Sequence, residues 1–160
     1  MRSFGLVPIN DQAAVPPVAI QLGVALMDLS AATVAYVDAN TRWPALPADS
    51  RSRVDTVLDD SPFALRWLFR SLALVVPRNA TAAGDAVPKL AWALTDGGEL
   101  FKHILVDLTG FDHLGERDAA LALVDGVILV AHPRRTREHE IVEARDRLDP
   151  ERLLGTLLVG

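Results

Sequence analysis

Ile104-Leu105-Val106-Asp107-Leu108-Thr109-Gly110 is an apolar run closed by an aspartate and then by a turn-forming Thr-Gly pair. A run without polar alternation predicts a strand buried on both faces, and the carboxylate falls at its carboxyl end. Residues 4–9, 33–37 and 127–131 read the same way. Residues 71–76 (SLALVV) and 156–159 (TLLV) are further candidates, so six strands are expected.

Helical patterns fill the gaps between these runs. Residues 18–29 are apolar all round apart from Gln21 and Asp28, and Pro16 and Pro17 just ahead suit a first helical turn. Residues 137–148 (REHEIVEARDRL) predict a charged helix with Ile141, Val142, Ala144 and Leu148 as its inward stripe. Residues 41–60, rich in Pro, Ser, Asp and Arg, and residues 79–88, rich in Ala, read as surface loops or short helices. Strands alternating with helices predict an α/β domain, a three-layer sandwich around a mostly parallel sheet with right-handed crossovers. At 160 residues the chain can form one complete core, so a single domain over residues 1–160 is expected.

Composition removes several classes of function. The absence of cysteine excludes a disulfide framework and any thiolate metal site. His103, His113, His132 and His139 form no pair at helical ligand spacing, so no metal site is expected. Sixteen basic residues against 21 acidic ones give a net charge of −5, which argues against a nucleic-acid surface. The longest apolar stretch, residues 15–27, holds two prolines and a glutamine and falls short of the about 20 apolar residues that span a bilayer. No secretory signal pattern opens the chain, and a cytoplasmic protein without a direct membrane anchor is expected.

Function in an α/β fold concentrates at the carboxyl ends of the strands, and polar groups follow those ends in a recognisable order. After the second strand comes Val37-Asp38-Ala39-Asn40-Thr41-Arg42-Trp43-Pro44, and later the run that ends in Asp107. Leu123-Val124-Asp125-Gly126-Val127-Ile128-Leu129-Val130 and Leu154-Gly155-Thr156-Leu157-Leu158-Val159-Gly160 follow. In this order the blocks resemble the deviant-Walker P-loop ATPases, namely the ParA and MinD ATPases and especially the bacterial tyrosine kinases of capsule and exopolysaccharide export. The resemblance spans residues 4–160 and implies a P-loop NTPase-like fold. It places Asp38 where the family's acid helps organise magnesium and attacking water, Asn40 where a second acid is common, and Asp107 at the Walker B carboxylate. The plainer reading of Asp38 and Asp107 is a carboxylate capping a turn at a strand end.

The phosphate cradle of that family is missing. A P-loop needs G-x-x-x-x-G-K-[ST] between the first strand and the first helix, because glycines let backbone N–H groups close around phosphates while the lysine neutralises their charge. The aligned loop is Asn10-Asp11-Gln12-Ala13-Ala14-Val15-Pro16-Pro17, with Val15 at the lysine position and Pro16 and Pro17 at the two hydroxyl positions. No alignment shift restores a cation, since the only lysines are Lys89 and Lys102 and no arginine lies between Arg2 and Arg42. Asp11 adds an anion, and like charges about 4 Å apart repel by roughly 4 kcal/mol at an effective dielectric near 20. Val159 stands where the family commonly has the asparagine that contacts adenine. The expectation is a degenerate loop in a pseudo-ATPase: vestigial Asp38 and Asp107, no catalytic residue, no bound metal and no cofactor.

Other features carry less. Arg134, Arg135 and Arg137 form the most compact basic cluster, suited to an acidic partner, to lipid headgroups or simply to solvent, and with Arg42 and Trp43 they are the interaction candidates. Trp43, Trp67 and Trp92 suit core or interface anchors. Tyr36, the only tyrosine, falls inside a buried strand and is no autophosphorylation substrate. Asp112 and His113 are the best hydrolase pair, but no nucleophile elbow accompanies them. The expected role is a scaffold or regulator binding a protein partner, or a homo- or hetero-dimer, through the surface near residues 10–17, 38–44 and 110–118. The family suggests polysaccharide export or secretion, polar positioning or partition as settings. The alternative is a weak ATPase or tyrosine-kinase-like enzyme completed by a partner chain.

Overall fold

The structure, a computed structural model, describes residues 2–11, 13–39, 63–77, 85–111 and 116–160. Seven strands form one sheet in the order β3-β4-β2-β5-β1-β6-β7. Its inner strands are β1 (Ser3–Pro8), β2 (Val34–Asp38), β5 (His103–Asp107) and β6 (Gly126–Ala131), all mutually parallel, with β4 (Leu72–Pro77) and β7 (Leu153–Leu158) parallel outside them. Only β3 (Phe63–Phe69) runs antiparallel, paired with β4. The three-layer, mostly parallel α/β architecture is the one expected.

Continuous apolar runs make the inner strands because both faces are covered, whereas the edge strand β7 is largely exposed. Helix α1 (Val15–Ser30) packs Val15, Val18 and Ala19 on one face with Leu6, Val34, Tyr36, Leu72 and Leu105. Helices α2 (Ala86–Leu100), α3 (Arg117–Ala122) and α4 (Glu138–Asp146) serve the other face, where Leu90, Ala120 and Ala144 share a core with Val37, Val106 and Leu129. Right-handed crossovers explain this division. The β1-to-β2 connection runs toward one edge of the sheet, while those from β4 to β5, β5 to β6 and β6 to β7 run the other way. The direction therefore switches between β1 and β5, which opens a crevice at their carboxyl ends.

Three expectations need correction. A seventh strand, β3, joins the six: its sequence FALRWLF carries Arg66 and is buried only in its first half, the signature of an antiparallel edge strand. Residues 86–88, expected in a loop or short helix, begin the 15-residue α2. Val142 is 38% exposed, whereas Ala144 and Leu148 are buried. At 100° per residue Val142 cannot share the face set by positions 141, 144 and 148.

Candidate functional site

Asp38 and Asp107 meet at the crevice. They are register partners at the carboxyl ends of β2 and β5, and both are 0% exposed. Side chains alternate along a strand, so each carboxylate lies on the face of Tyr36 and Leu105, two residues earlier, which is the face α1 covers. The Asp107 Oδ1 accepts the backbone N–H of Thr109 at 2.8 Å, and its Oδ2 accepts the Tyr36 hydroxyl at 3.1 Å. Burial raises the Asp107 pKa above the usual carboxylate range, against the opposing pull of the Thr109 and Tyr36 hydrogen bonds. Burial also pushes the Tyr36 phenol upward, reinforced by the charges of Asp107 and Asp38.

The loop from β1 to α1 borders the same crevice. Ala13 N–H donates to the Asn10 carbonyl at 3.2 Å, Asp11 is exposed, and Ala14 caps α1 without a side-chain hydrogen bond. An α-helix leaves its first four N–H groups free, the usual basis of an anion site. Two of those four positions here are Pro16 and Pro17, which have no N–H. Val15 is 1% exposed and its side chain belongs to the apolar core. Beside this helix start lies an open cleft of about 460 Å³ lined by Ala14, Pro17, Val18, Gln21, His132 and Val159.

Arg134, Arg135 and Arg137 are exposed on the turn between β6 and α4. Arg134 has φ 149°, a conformation that side-chain-bearing residues rarely adopt. The turn is closed by Arg135 and Thr136 N–H groups on the His132 carbonyl, and the Thr136 hydroxyl accepts both His132 N–H at 3.0 Å and Asn10 Nδ2 at 3.4 Å. Asn10 thus fastens the basic turn to the β1–α1 loop, a link that sequence reading did not find. Reading also missed the Tyr36–Asp107 bond, although period-two alternation already puts Tyr36 on Asp38's face. Gln12, Asn40, Arg42, Trp43, Asp112 and His113 lie outside the described residues. Among the described residues no cluster of three metal-ligating side chains occurs, and no helix is long and apolar enough to cross a membrane. Trp92 stacks on Phe63 at 5.9 Å and Trp67, 39% exposed, leans on Phe101 at 6.0 Å, so both anchor the β3 edge.

No protein-family model matches the sequence, and no curated protein matches it. Solved structures do match. The BceF tyrosine kinase domain superposes with TM-score 0.70 at 21% identity, covering 99% of this chain and 69% of that one. The kinase domain of the Escherichia coli tyrosine kinase ETK gives 0.74 at 12% identity, covering 99% and 67%. A ParA family ATPase from Chlorobium tepidum gives 0.60 at 16% identity, covering 96% and 72%. At these identities the likeness is one of fold, which this chain shares with those tyrosine kinase domains and with the ParA family ATPase.

Proposed function

We propose that this chain is one pseudo-ATPase domain, a P-loop NTPase-like fold whose nucleotide site has been converted to structure and whose work is to bind a protein partner. One observation carries the reading: at the start of α1, where the resemblance calls for a lysine, Val15 is 1% exposed within the apolar core and the next two residues supply no N–H. A magnesium triphosphate needs a cation and a nest of amides at that turn. Neither fits here, because the loop's described residues offer only Asp11 as a charge.

Partner binding follows from what remains exposed. The basic turn at Arg134, Arg135 and Arg137 and the β1–α1 loop share one end of the sheet, joined by Asn10 and Thr136. Three cations in four residues on a chain of net charge −5 favour an acidic protein surface. Polysaccharide export and polar positioning or partition are the settings that the family resemblance of the sequence suggests. With no nucleotide to gate it, association is set by concentration alone.

Titration of the chain with a labelled ATP analogue in magnesium tests the reading, alongside size-exclusion chromatography with light scattering. No binding up to millimolar analogue, and the same mass with and without nucleotide, are expected. Micromolar binding or a nucleotide-dependent dimer sinks the proposal. The enzyme alternative draws on Asp38 and Asp107 standing together. It predicts ATP hydrolysis only in a partner-bound complex, abolished by Asp107→Ala.

A further inference from the structure

Asp107 occupies the place in the fold where a carboxylate would hold magnesium through water, yet its surroundings suit a different task. A hydrated magnesium ion keeps several waters and needs near-octahedral room around the oxygen it binds. Asp107 is 0% exposed, with Thr109 N–H on one oxygen and the Tyr36 hydroxyl on the other. Tyr36 is itself 0% exposed and packs in the same core as Val15, Leu6 and Leu105. Both Asp107 oxygens therefore already accept a protein hydrogen bond and the group is closed to solvent, which leaves the water shell of an ion no access to it.

The reach is specific. Tyr36 pairs in register with Leu105, and its hydroxyl arrives two residues farther along β5, at Asp107. Two residues of strand rise about 6.6 Å, a span that a tyrosine covers and a leucine or valine at position 36 does not.

We propose that the Tyr36 hydroxyl stands in for the cation, its proton capping Asp107 and bolting β2 to β5 so that this pair of strand ends needs no metal. The inference rests on the pseudo-ATPase reading and names what has replaced the metal in that site. Asp107 is then a structural group, and Tyr36 is the residue that keeps ions from it.

Because Tyr36 is the single tyrosine, its ring carbon bearing the hydroxyl gives one resolvable signal in a chain labelled with ¹³C-tyrosine. Manganese, added alone, is the probe. In the wild-type chain the Tyr36 signal is expected to stay sharp as Mn²⁺ rises to millimolar, and Asp107→Asn is expected to shift it. In Tyr36→Phe the thermal midpoint is expected to fall by about 5 °C. Tyr36→Phe should also cost less in the Asp107→Asn background than in wild type.

Broadening of the wild-type Tyr36 signal by Mn²⁺ overturns the inference, as do an unmoved signal in Asp107→Asn or an equal Tyr36→Phe loss in the wild-type and Asp107→Asn backgrounds. Should Tyr36→Phe fail to fold, the wild-type readout and the Asp107→Asn shift still decide. Nucleotide binding by wild type with a sharp Tyr36 signal in Mn²⁺ would instead sink the pseudo-ATPase reading while leaving the Tyr36 bolt in place.

Discussion

Asp38 and Asp107 sit directly across from one another on adjacent parallel strands, each shut off from solvent. Burial makes the Asp107 carboxylate costly to ionise, against the opposing pull of its hydrogen bonds from Thr109 and Tyr36. The consequence is a pH dependence of stability whose sign follows from the raised pKa of Asp107. A carboxyl that holds its proton more tightly when folded stabilises the fold fully below the ordinary aspartate value of 3.8, and that contribution is lost as pH rises through the raised one. Asp107→Asn cannot ionise. Its thermal midpoint relative to wild type is expected to climb as pH increases above 3.8 and then level off. A midpoint difference that is flat over this range contradicts the assignment.

Asp125 works in the opposite sense. Its Oδ2 accepts Arg2 N–H at 2.6 Å, Ser3 N–H at 2.9 Å and the Ser3 hydroxyl at 3.2 Å, tying the start of β1 to the turn before β6. Those backbone donors, Ser3 first and then Arg2, lower its pKa, so its contribution is present above 3.8 and fades as pH falls through the lowered value. Because Asp125 is exposed, solvent screens the effect. Asp125→Ala is expected to cost about 1 kcal/mol at neutral pH and to lose that penalty in acid, read by urea unfolding at both pH values.

Restoring the missing cation should not restore a site. Val15→Lys places an ammonium in a position that is 1% exposed and surrounded by apolar side chains, at an expected cost of about 3 kcal/mol or more. The variant should unfold at lower urea and still fail to retain ATP on equilibrium dialysis. Tight ATP binding by Val15→Lys would show that one residue, and not a converted site, separates this chain from an active one.

Gly23 marks a close approach of α1 to the sheet. A Cβ there would stand 2.8 Å from Leu72 Cδ1, with Leu105 Cδ1 at 3.6 Å behind, and both leucines are fully buried. Helix propensity alone favours Gly→Ala by about 1 kcal/mol, while overpacking a tight core costs about 1–3 kcal/mol. Packing wins on these magnitudes, so Gly23→Ala is expected to destabilise by about 1 kcal/mol in chemical denaturation. A stabilised variant would mean that Leu72 can move aside.

What the sequence determined was the frame. Unbroken apolar runs and the aspartates that end two of them place the six parallel strands and the pair Asp38 and Asp107, because apolar runs and the residues that close them are readable without knowing the partners. The absence of lysine and glycine between β1 and α1, and the prolines that open the helix, are equally legible, being a matter of which residues are present. An edge strand such as β3 escapes that reading, since its outer half faces water and its pairing with β4 is a property of the sheet. Only the tertiary structure decided that Val15 turns into the core, that Tyr36 reaches Asp107 on the neighbouring strand, and that Asn10 meets Thr136 across 126 positions of chain. Each of these depends on which strands lie side by side and on the direction in which each connection crosses, and contacts between distant segments leave no periodicity behind them.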